Sequence, residues 1–292
     1  QIRVDAFMNC DKFSYDQIEM LFQEAKKLNV NCVQIPIEWS KMELDEDKFD
    51  YTYLHTMMSF ANKYDLKIEF LYNSNLLEGS TFSKENIEKL LVDKKIEGEH
   101  YLADIIETRN SLNVFDKVIN DSDKELDKFM LFNWQRELKR DSVDEEIHNT
   151  GCWKKYENRL RNVDLKLAYP NEVDSLMFNL LMDWKEAKNK TIEDIAKFHY
   201  QFEMIHPFQD GNGRIGRFII LKQCLETNID LISIDNEYSD EYKENLYKAQ
   251  KTGDISGLVH VFKKCQQRLD EKMKDYINTI TLVKQEISEE QN

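Results

Sequence analysis

The stretch IHPFQDGNGRIGR, residues 205–217, holds three of the eight glycines in a chain of 292 residues. The chain has only three prolines, so it contains few of the residues that interrupt helices. This composition predicts a mainly α-helical protein. It also predicts that the clustered glycines serve a place where the backbone must turn tightly or approach a ligand closely.

Helical periodicity surrounds this stretch on both sides. A helix is expected at residues 192–205, after a Thr191 cap and before Pro207, and a new apolar pattern begins at about Gly213. His206 is therefore expected at a junction between helix and loop. The same spacing predicts further helices at 83–93, 99–119, 122–138, 172–187, 213–227, 239–251 and 254–287.

The loop between these two helices has the composition of an anion site. Gly211, Asn212 and Gly213 tolerate positive φ, and their N–H groups would converge at a helix N-terminus, where the unsatisfied donors and the dipole attract phosphate. Arg214 and Arg217 lie three residues apart, so both guanidinium groups can lie on one face and bind phosphate oxygens. We therefore expect a phosphate cradle.

Two further residues of the stretch complete a chemical site. The Asp210 carboxylate, beside a polyphosphate, is a ligand that Mg²⁺ prefers. His206 is close enough in sequence to act as general base on an incoming hydroxyl. Each residue alone is more often structural, and the interpretation rests on their combination.

Charge and cysteine usage exclude several other classes of protein. A formal net charge of −15 opposes direct binding to nucleic acid or to an anionic membrane through a broad basic face. Five cysteines without a C-x-x-C pair favour a reducing compartment, so we expect a cytoplasmic protein. No apolar run is long enough for a membrane helix, and the first residues lack a secretory pattern, although a removed upstream segment stays open because the chain begins at Gln1.

The first seventy residues follow a different pattern. Residues 14–29 are expected to form a helix, 32–39 a strand and 51–63 a second helix, which is an α/β arrangement. Residues 66–72 fit a strand or a helix equally well. The segment 139–171 has weak periodicity and is expected to be a long surface segment of the kind that often serves a site.

The residues HPFQDGNGRIGR, 206–217, resemble the signature of the Fic domain family, His-x-Phe-x-Asp/Glu-Gly-Asn-Gly-Arg-x-x-Arg, at every specified position. The resemblance implies a mainly α-helical enzyme that transfers AMP from ATP, with Mg²⁺, to a Ser, Thr or Tyr hydroxyl of a target protein. It implies that Phe208 is a buried anchor. The implied catalytic and nucleotide roles are His206 as base, Asp210 as metal ligand, Gly211, Asn212 and Gly213 as phosphate cradle, and Arg214 and Arg217 as charge-neutralising groups.

A second segment, SNLLEG at residues 74–79, is similar to the inhibitory pattern of the same family, Ser/Thr-x-x-x-Glu-Gly/Asn. The resemblance implies that Glu78 pairs with Arg217 and obstructs productive ATP binding, and that Ser74 braces the inhibitory helix. It favours helix over strand for residues 68–78. The alternative for this segment alone is an ordinary helix end with Gly79 at the C-cap.

Other parts of the chain match the family less closely. Tyr242 is at the position of a tyrosine near the adenine, although a packed helix tyrosine fits as well. Residues 158–170 match the family's β-hairpin flap by their location. We expect a Fic catalytic domain at 68–270, a C-terminal helix and tail at 271–292, and a short α/β segment of unknown role at 1–67.

Residues 1–67 weakly resemble a fragment of a glycoside hydrolase β/α barrel. Glu38 and Glu69 fit glycosidase carboxylates, but seventy residues cannot build a closed barrel of about 250 residues. A small targeting or interaction module is the better interpretation.

Several alternatives stay open at the level of sequence. The same residues serve removal of AMP from a target, and transfer of UMP or phosphocholine is a further alternative. A non-catalytic module that binds nucleotide or a partner is the alternative from another class, and the intact His206 argues against it. The sequence does not identify the target, the modified residue, what relieves inhibition, or whether the chain forms a homodimer.

Overall fold

The computed structural model describes residues 67–142, 150–159, 164–227 and 229–272, and in the N-terminal segment four short strands. The chain divides into two compact units, one of residues 1–69 with 83–99 and one of residues 70–82 with 100–292. The segment 83–99, which the sequence assigns to the catalytic domain, thus groups with the N-terminal residues. The domain limits expected at 67/68 and 270/271 stay predictions.

In its described residues, the first unit contains the four strands and one complete helix. Strand β1 (Asp5–Phe7) pairs in parallel with β2 (Cys32–Gln34), and β3 (Glu43–Asp45) pairs antiparallel with β4 (Lys48–Phe49). Parallel pairing is what the expected α/β arrangement requires. The helices expected at 14–29 and 51–63, and Glu38, lie outside the described residues.

The first unit also contains α2 (Lys84–Val92), which the sequence predicts at 83–93. Ser83 and Asn86 form a capping box that satisfies the free N–H groups at its start. Glu69, one of the two glycosidase candidates, pairs with Lys84 within this unit.

The second unit is helical in its described residues. The helix expected at 68–78 is confirmed as α1, residues 67–76, of which 70–76 belong to this unit. The other elements are α3 (Leu102–Asn120), α4 (Lys128–Lys139), α5 (Val173–Glu186), α6 (Ile192–Ile205), α7 (Asn212–Thr227), a 3₁₀ turn (Asn236–Tyr238), α8 (Ser239–Thr252) and α9 (256–272).

Helices α6 and α7 form the centre of the core of this unit. Each packs against the other, α6 also contacts α5 and α8, and α7 also contacts α3 and α4. Their inward-facing side chains are almost completely buried, among them Ile195, Phe202, Ile215 and Phe218. The loop that joins α6 to α7 is therefore held at both ends by the most buried helices of the unit.

Local chemistry explains where these helices begin. Thr191 and Asp194 form a capping box at the start of α6, as the Thr191 cap predicts. Helix α4 begins at Lys128 rather than at the expected residue 122, because the Asp127 side chain accepts the N–H of Met130 and residues 121–124 turn instead. No helix in the described ranges is long and apolar enough to cross a membrane.

The flap segment differs from its expectation. No strand is assigned at residues 158, 159 and 164–170, and residues 160–163 lie outside the described part. Isolated hydrogen bonds connect the segment to α6 and to the motif loop instead. The N–H of Ala168 donates to the carbonyl of Met204, and the Asn158 amide donates to the carbonyls of Phe208 and Gln209. In the described part of the segment, these hydrogen bonds take the place of the backbone hydrogen-bond ladder that a β-hairpin would form.

Candidate active site

The loop from His206 to Gly211 turns the chain between α6 and α7. His206 ends α6 in the left-handed region at φ 49°, and Gly211 precedes α7 at φ 85°. Between them, the Asn212 side chain accepts the N–H of Phe208 and donates to the carbonyl of Phe208, both at 2.8 Å. Asn212 therefore fixes the loop with its side chain, which leaves only its backbone for a ligand.

Phe208 anchors the loop in the core, as the sequence predicts. Its ring is fully buried and lies 5.3 Å from Trp153 and 6.5 Å from Phe132 between ring centroids. Large buried aromatic rings contribute several kcal/mol to core stability, about 3–5 kcal/mol when removed. The loop is thus anchored on its core side, while His206, Gln209 and Asp210 remain at least partly exposed.

Two glycines of α7 permit close approaches that a Cβ would prevent. A Cβ at Gly213 would lie 2.5 Å from Glu78 Oε1, and a Cβ at Gly216 would lie 2.5 Å from Glu203 Oε1 and 3.0 Å from His199 Cε1. Gly213 therefore makes room for an anion at the helix N-terminus. Gly216 instead lets α6 pack tightly against α7.

Arg217 joins the two sequence motifs. Its Nε donates to Ser74 Oγ at 2.9 Å, and its Nη2 donates to the Ser74 carbonyl at 2.9 Å and to Glu78 Oε1 at 2.7 Å. The Arg217 side chain is only 5% exposed, so this ion pair is shielded from solvent on one side. The structure thus brings Ser74 of α1 and Glu78 of the turn after α1 against α7.

The Glu78 carboxylate lies at the anion site expected for phosphate. It contacts Arg217 and approaches Gly213 in the first turn of α7, where the helix dipole favours a negative charge. Burial raises the pKa of Glu78, but the charges of Arg217 and Arg214 outweigh it and hold that pKa below its ordinary value. Glu78 is therefore an ionised side chain at the place where the sequence predicts a phosphate cradle.

Arg214 and Asp210 belong to a second charged cluster. Arg214 Nη1 donates to Glu107 Oε2 of α3 at 2.8 Å, and the Lys139 ammonium at the end of α4 contacts both Glu107 Oε1, at 2.8 Å, and the Asp210 carboxylate. Burial raises the pKa of Asp210, but Lys139, Arg214 and the hydrogen bonds to the carboxylate together outweigh it and hold that pKa below its ordinary value, so Asp210 is ionised. The two motif arginines therefore have separate acidic partners in this structure.

Comparison with known proteins matches this region to one family. Residues 125–224, which contain the loop and both motif arginines, match the model of the Fic/DOC family. The chain carries a Fic domain. The Fic resemblance of residues 206–217 is thereby confirmed.

Relatives named protein adenylyltransferase Fic match about a third of the chain. Protein adenylyltransferase Fic from Nematostella vectensis is 30% identical over 103 residues, which are 34% of this chain and 24% of that protein. Protein adenylyltransferase Fic from Aedes aegypti is 28% identical over 98 residues, 32% of this chain and 19% of that protein. The match thus spans a quarter or less of these relatives, and Ser74, Glu78 and Tyr242 lie outside the family segment.

Solved structures agree on the fold. A Fic domain-containing signaling protein from Bacteroides thetaiotaomicron superposes with a TM-score of 0.62 at 23% identity, over 71% of this chain and 85% of that chain. A Fic family protein from Desulfovibrio desulfuricans superposes with a TM-score of 0.60 at 19% identity, over 91% of this chain and 77% of that chain. The mainly α-helical fold is therefore confirmed.

His206 of the Fic domain is held as a neutral imidazole. Its side chain is 15% exposed. Burial lowers the pKa of His206 to about 4, and the nearby Lys154 charge acts in the same direction. A neutral imidazole has a free lone pair at neutral pH, which is what a general base requires.

Lys154 reaches His206 from the segment after α4. Its N–H donates to the carbonyl of Pro207 at 2.8 Å and its Nζ donates to the carbonyl of Ile205 at 3.1 Å, so it brackets the histidine on both sides in sequence. Burial lowers the pKa of Lys154 to about 8. Sequence reasoning did not identify this residue, because its contacts are to backbone carbonyls that any residue provides.

A buried group of polar residues lies behind the loop. Glu203 Oε2 is 3.8 Å from His206 Nδ1, and burial raises the pKa of Glu203 to about 8. The Tyr242 hydroxyl is 2.8 Å from His199 Nε2, and burial raises the pKa of that tyrosine. Tyr242 is 4% exposed, so its described surroundings are those of a packed tyrosine beneath the site.

The residues of the Fic domain fit a Mg²⁺ ion that arrives with phosphates. Within the described residues there is no group of three or more His, Cys, Asp and Glu side chains that could hold a metal by itself. Asp210 offers a single carboxylate whose side chain is 51% exposed. Mg²⁺ is commonly bound by one or two carboxylates together with substrate phosphates and water, so this donor set suits a nucleotide-bound ion.

Proposed function

We propose that the chain is an autoinhibited protein adenylyltransferase that transfers AMP from ATP to a hydroxyl side chain of a target protein. The observation that carries this proposal is the Glu78 carboxylate at the N-terminus of α7, paired with Arg217. This carboxylate supports the assignment of an anion site beside a neutral His206 within a Fic domain. The names of the Nematostella and Aedes relatives support the same class of reaction.

The proposed chemistry assigns one task to each motif residue. The target hydroxyl oxygen attacks the α-phosphorus of ATP, a new P–O bond forms, and the bond to the bridging oxygen of the β-phosphate breaks, which releases pyrophosphate. His206 accepts the hydroxyl proton. The backbone N–H groups at Gly211, Asn212 and Gly213 and the guanidinium groups of Arg214 and Arg217 stabilise the charge on the phosphates.

Asp210 would hold a Mg²⁺ ion, which neutralises phosphate oxygens when it is bound. With Glu78 seated, Arg217 is already engaged, and the carboxylate repels the phosphates that would replace it. ATP can then bind only in a displaced pose, which lowers the rate because the reacting atoms are not aligned.

The position of a radioactive label tests the reaction class. The Glu78→Gly protein is incubated with Mg²⁺ and either [α-³²P]ATP or [γ-³²P]ATP, and a Glu78→Gly/His206→Ala protein is the blank. We expect protein-bound label only from the α position, with γ label recovered in pyrophosphate. Label on the protein from the γ position would contradict the proposal, because it would indicate phosphoryl transfer.

A further inference from the structure

Lys139 is a fully buried cation next to the motif loop. It is the last residue of α4, its side chain has 0% exposure, and its Nζ lies between Glu107 Oε1 and the Asp210 carboxylate. A buried ammonium is unfavourable unless it is paired and hydrogen-bonded. Lys139 meets that condition through these two carboxylates, and one of them belongs to the motif.

The described side chains around Lys139 form a cluster of four charges that sum to zero. Lys139 and Arg214 are the cations, Glu107 and Asp210 are the anions, and Glu107 bonds to both cations with separate oxygens at 2.8 Å. The four residues come from α3, α4, the motif loop and α7. The orientation of Asp210 is thereby coupled to that of Arg214, although no direct contact joins them.

We infer that Lys139 is a positioning residue for the phosphate and metal end of the nucleotide, and that Glu107 links its effect to Arg214. The ammonium holds Asp210 by one carboxylate oxygen, which leaves the other oxygen for a Mg²⁺ ion bound to phosphates. This inference rests on the proposed function, since it takes ATP with Mg²⁺ as the ligand. Residues that orient a metal ligand in this way commonly contribute about 10–100-fold to metal affinity.

Burial separates positioning from direct binding. Lys139 has no exposed surface, so it cannot touch a phosphate unless the site opens, whereas half of the Asp210 side chain is exposed and accessible. A Cβ at Gly211 would lie 3.4 Å from Lys139 Cε, so the lysine stem packs directly beneath the loop. The expected effect of Lys139 is therefore on the contribution of Mg²⁺ to nucleotide affinity.

The chain supplies a matched control in Lys222. This lysine of α7 is also 0% exposed and is also paired with a carboxylate, Glu226, at 3.1 Å, but it lies outside the four-charge cluster. Its Nζ donates in addition to the carbonyl of Ser122. Replacing either lysine by Met removes one buried ammonium and keeps a side chain of similar length.

Calorimetry measures the inferred effect without relying on turnover. Binding of α,β-methylene-ATP is measured with Mg²⁺ and with EDTA for Glu78→Gly and for the same protein carrying Lys139→Met or Lys222→Met. We expect the gain in affinity from Mg²⁺ to fall about 10-fold or more with Lys139→Met and to be unchanged with Lys222→Met. If Lys139→Met does not fold, Glu107→Gln replaces it, because this change keeps the shape of the side chain and weakens its ion pairs with Lys139 and Arg214. The gain in nucleotide affinity from Mg²⁺ should also fall in Glu107→Gln.

Each result bears on a different claim. The gain in nucleotide affinity from Mg²⁺ is compared between Lys139→Met, or Glu107→Gln in its place, and Lys222→Met. Equal gains in the two proteins would overturn the role of Lys139. Failure of the Glu78→Gly parent to bind the nucleotide at all would overturn the proposed function, and the inference with it. Nucleotide binding with the expected Mg²⁺ effect but no labelled product would support the inference and contradict the proposed reaction.

Discussion

At the residue scale, Arg217 has two successive tasks. In the described structure it donates three hydrogen bonds to Ser74 and Glu78. In the proposed reaction the same guanidinium group neutralises the nucleotide phosphates. In the proposed function, the arginine that pairs with Glu78 is therefore the same one that must be released for catalysis.

We expect Arg217→Ala to impair transfer even when Glu78→Gly has removed the inhibitor. Loss of one preorganised charged donor at a transition state commonly lowers the rate about 10²–10³-fold. The rate of AMP incorporation in Glu78→Gly and in Glu78→Gly/Arg217→Ala measures the effect, with circular dichroism as the control for folding. Full activity in the double variant would show that the arginine has only an inhibitory contact.

Sequence reasoning found the residues that carry their own pattern and missed those that act through distant partners. His206, Asp210, Arg214 and Arg217 stand in one short motif, so spacing alone identified them. Glu107 bonds to a residue 107 positions away. Because such a pairing depends on how three helices pack, no local pattern in the chain signals it.

At the element scale, the C-terminal end of α1 is held against α3 by a buried hydrogen bond. Ser111 Oγ donates to Asn75 Oδ1 at 3.1 Å, and the Asn75 carbonyl accepts the N–H groups of Glu78 and Ser80. Phe70 of α1 packs against Phe115 and Phe218, with ring centroids 5.6 and 5.5 Å apart. The turn that carries Glu78 is therefore fixed from its N-terminal side.

We expect Ser111→Ala to loosen this turn without touching the site. Removing one buried hydrogen bond costs about 1 kcal/mol or more, which is roughly a 5-fold change in an equilibrium. Hydrogen exchange of residues 77–80 should become faster by about that factor, whereas Ser175→Ala, an exposed serine of α5, should leave it unchanged. Identical exchange in the Ser111→Ala and wild-type proteins would mean that other contacts hold the segment.

The helices themselves were more predictable than their connections. The bounds expected for α6, 192–205, agree with the structure because Thr191 caps the start and Pro207 follows the end. Residues 66–72 were ambiguous, since their apolar spacing fits two periods, and only the Fic resemblance favoured helix. The flap was located by its place in the chain, and its described residues make contacts that no alternation pattern encodes.

At the scale of the whole molecule, several buried cations lie around the motif loop although the chain as a whole is acidic. The chain has a net charge of −15, yet Arg214, Arg217, Lys139 and Lys154 are all buried around one loop. Glu78, Glu107 and Asp210 pair with three of these cations, so the positive charge around the loop is largely balanced within the site. Buried ionisable groups of this kind also make stability depend on pH.

Glu203 is expected to make the protein less stable as the pH rises. Burial raises its pKa from an ordinary 4.5 to about 8, so its contribution to stability is complete below pH 4.5 and is lost as the pH rises towards 8. Glu203→Gln cannot ionise. We expect the free energy of unfolding of Glu203→Gln, relative to wild type, to increase from pH 5.5 to 7.5 by about 1.4 kcal/mol or less for each pH unit.

Urea unfolding of both proteins at these two pH values measures the difference. His199 and His206, whose pKa values are lowered by burial, are present in both proteins, so their effects cancel in the comparison. A difference between the proteins that stays constant with pH would contradict a raised pKa at Glu203.

The measurement that tests the central claim most directly is intact-mass spectrometry after incubation with ATP and Mg²⁺. Wild type, Glu78→Gly and Glu78→Gly/His206→Ala are compared under the same conditions. The account predicts a gain of one or more AMP masses in Glu78→Gly, little or none in wild type, and none in the double variant. A folded Glu78→Gly protein that gains no mass, or a wild type that gains as much, would contradict an adenylyltransferase inhibited by Glu78.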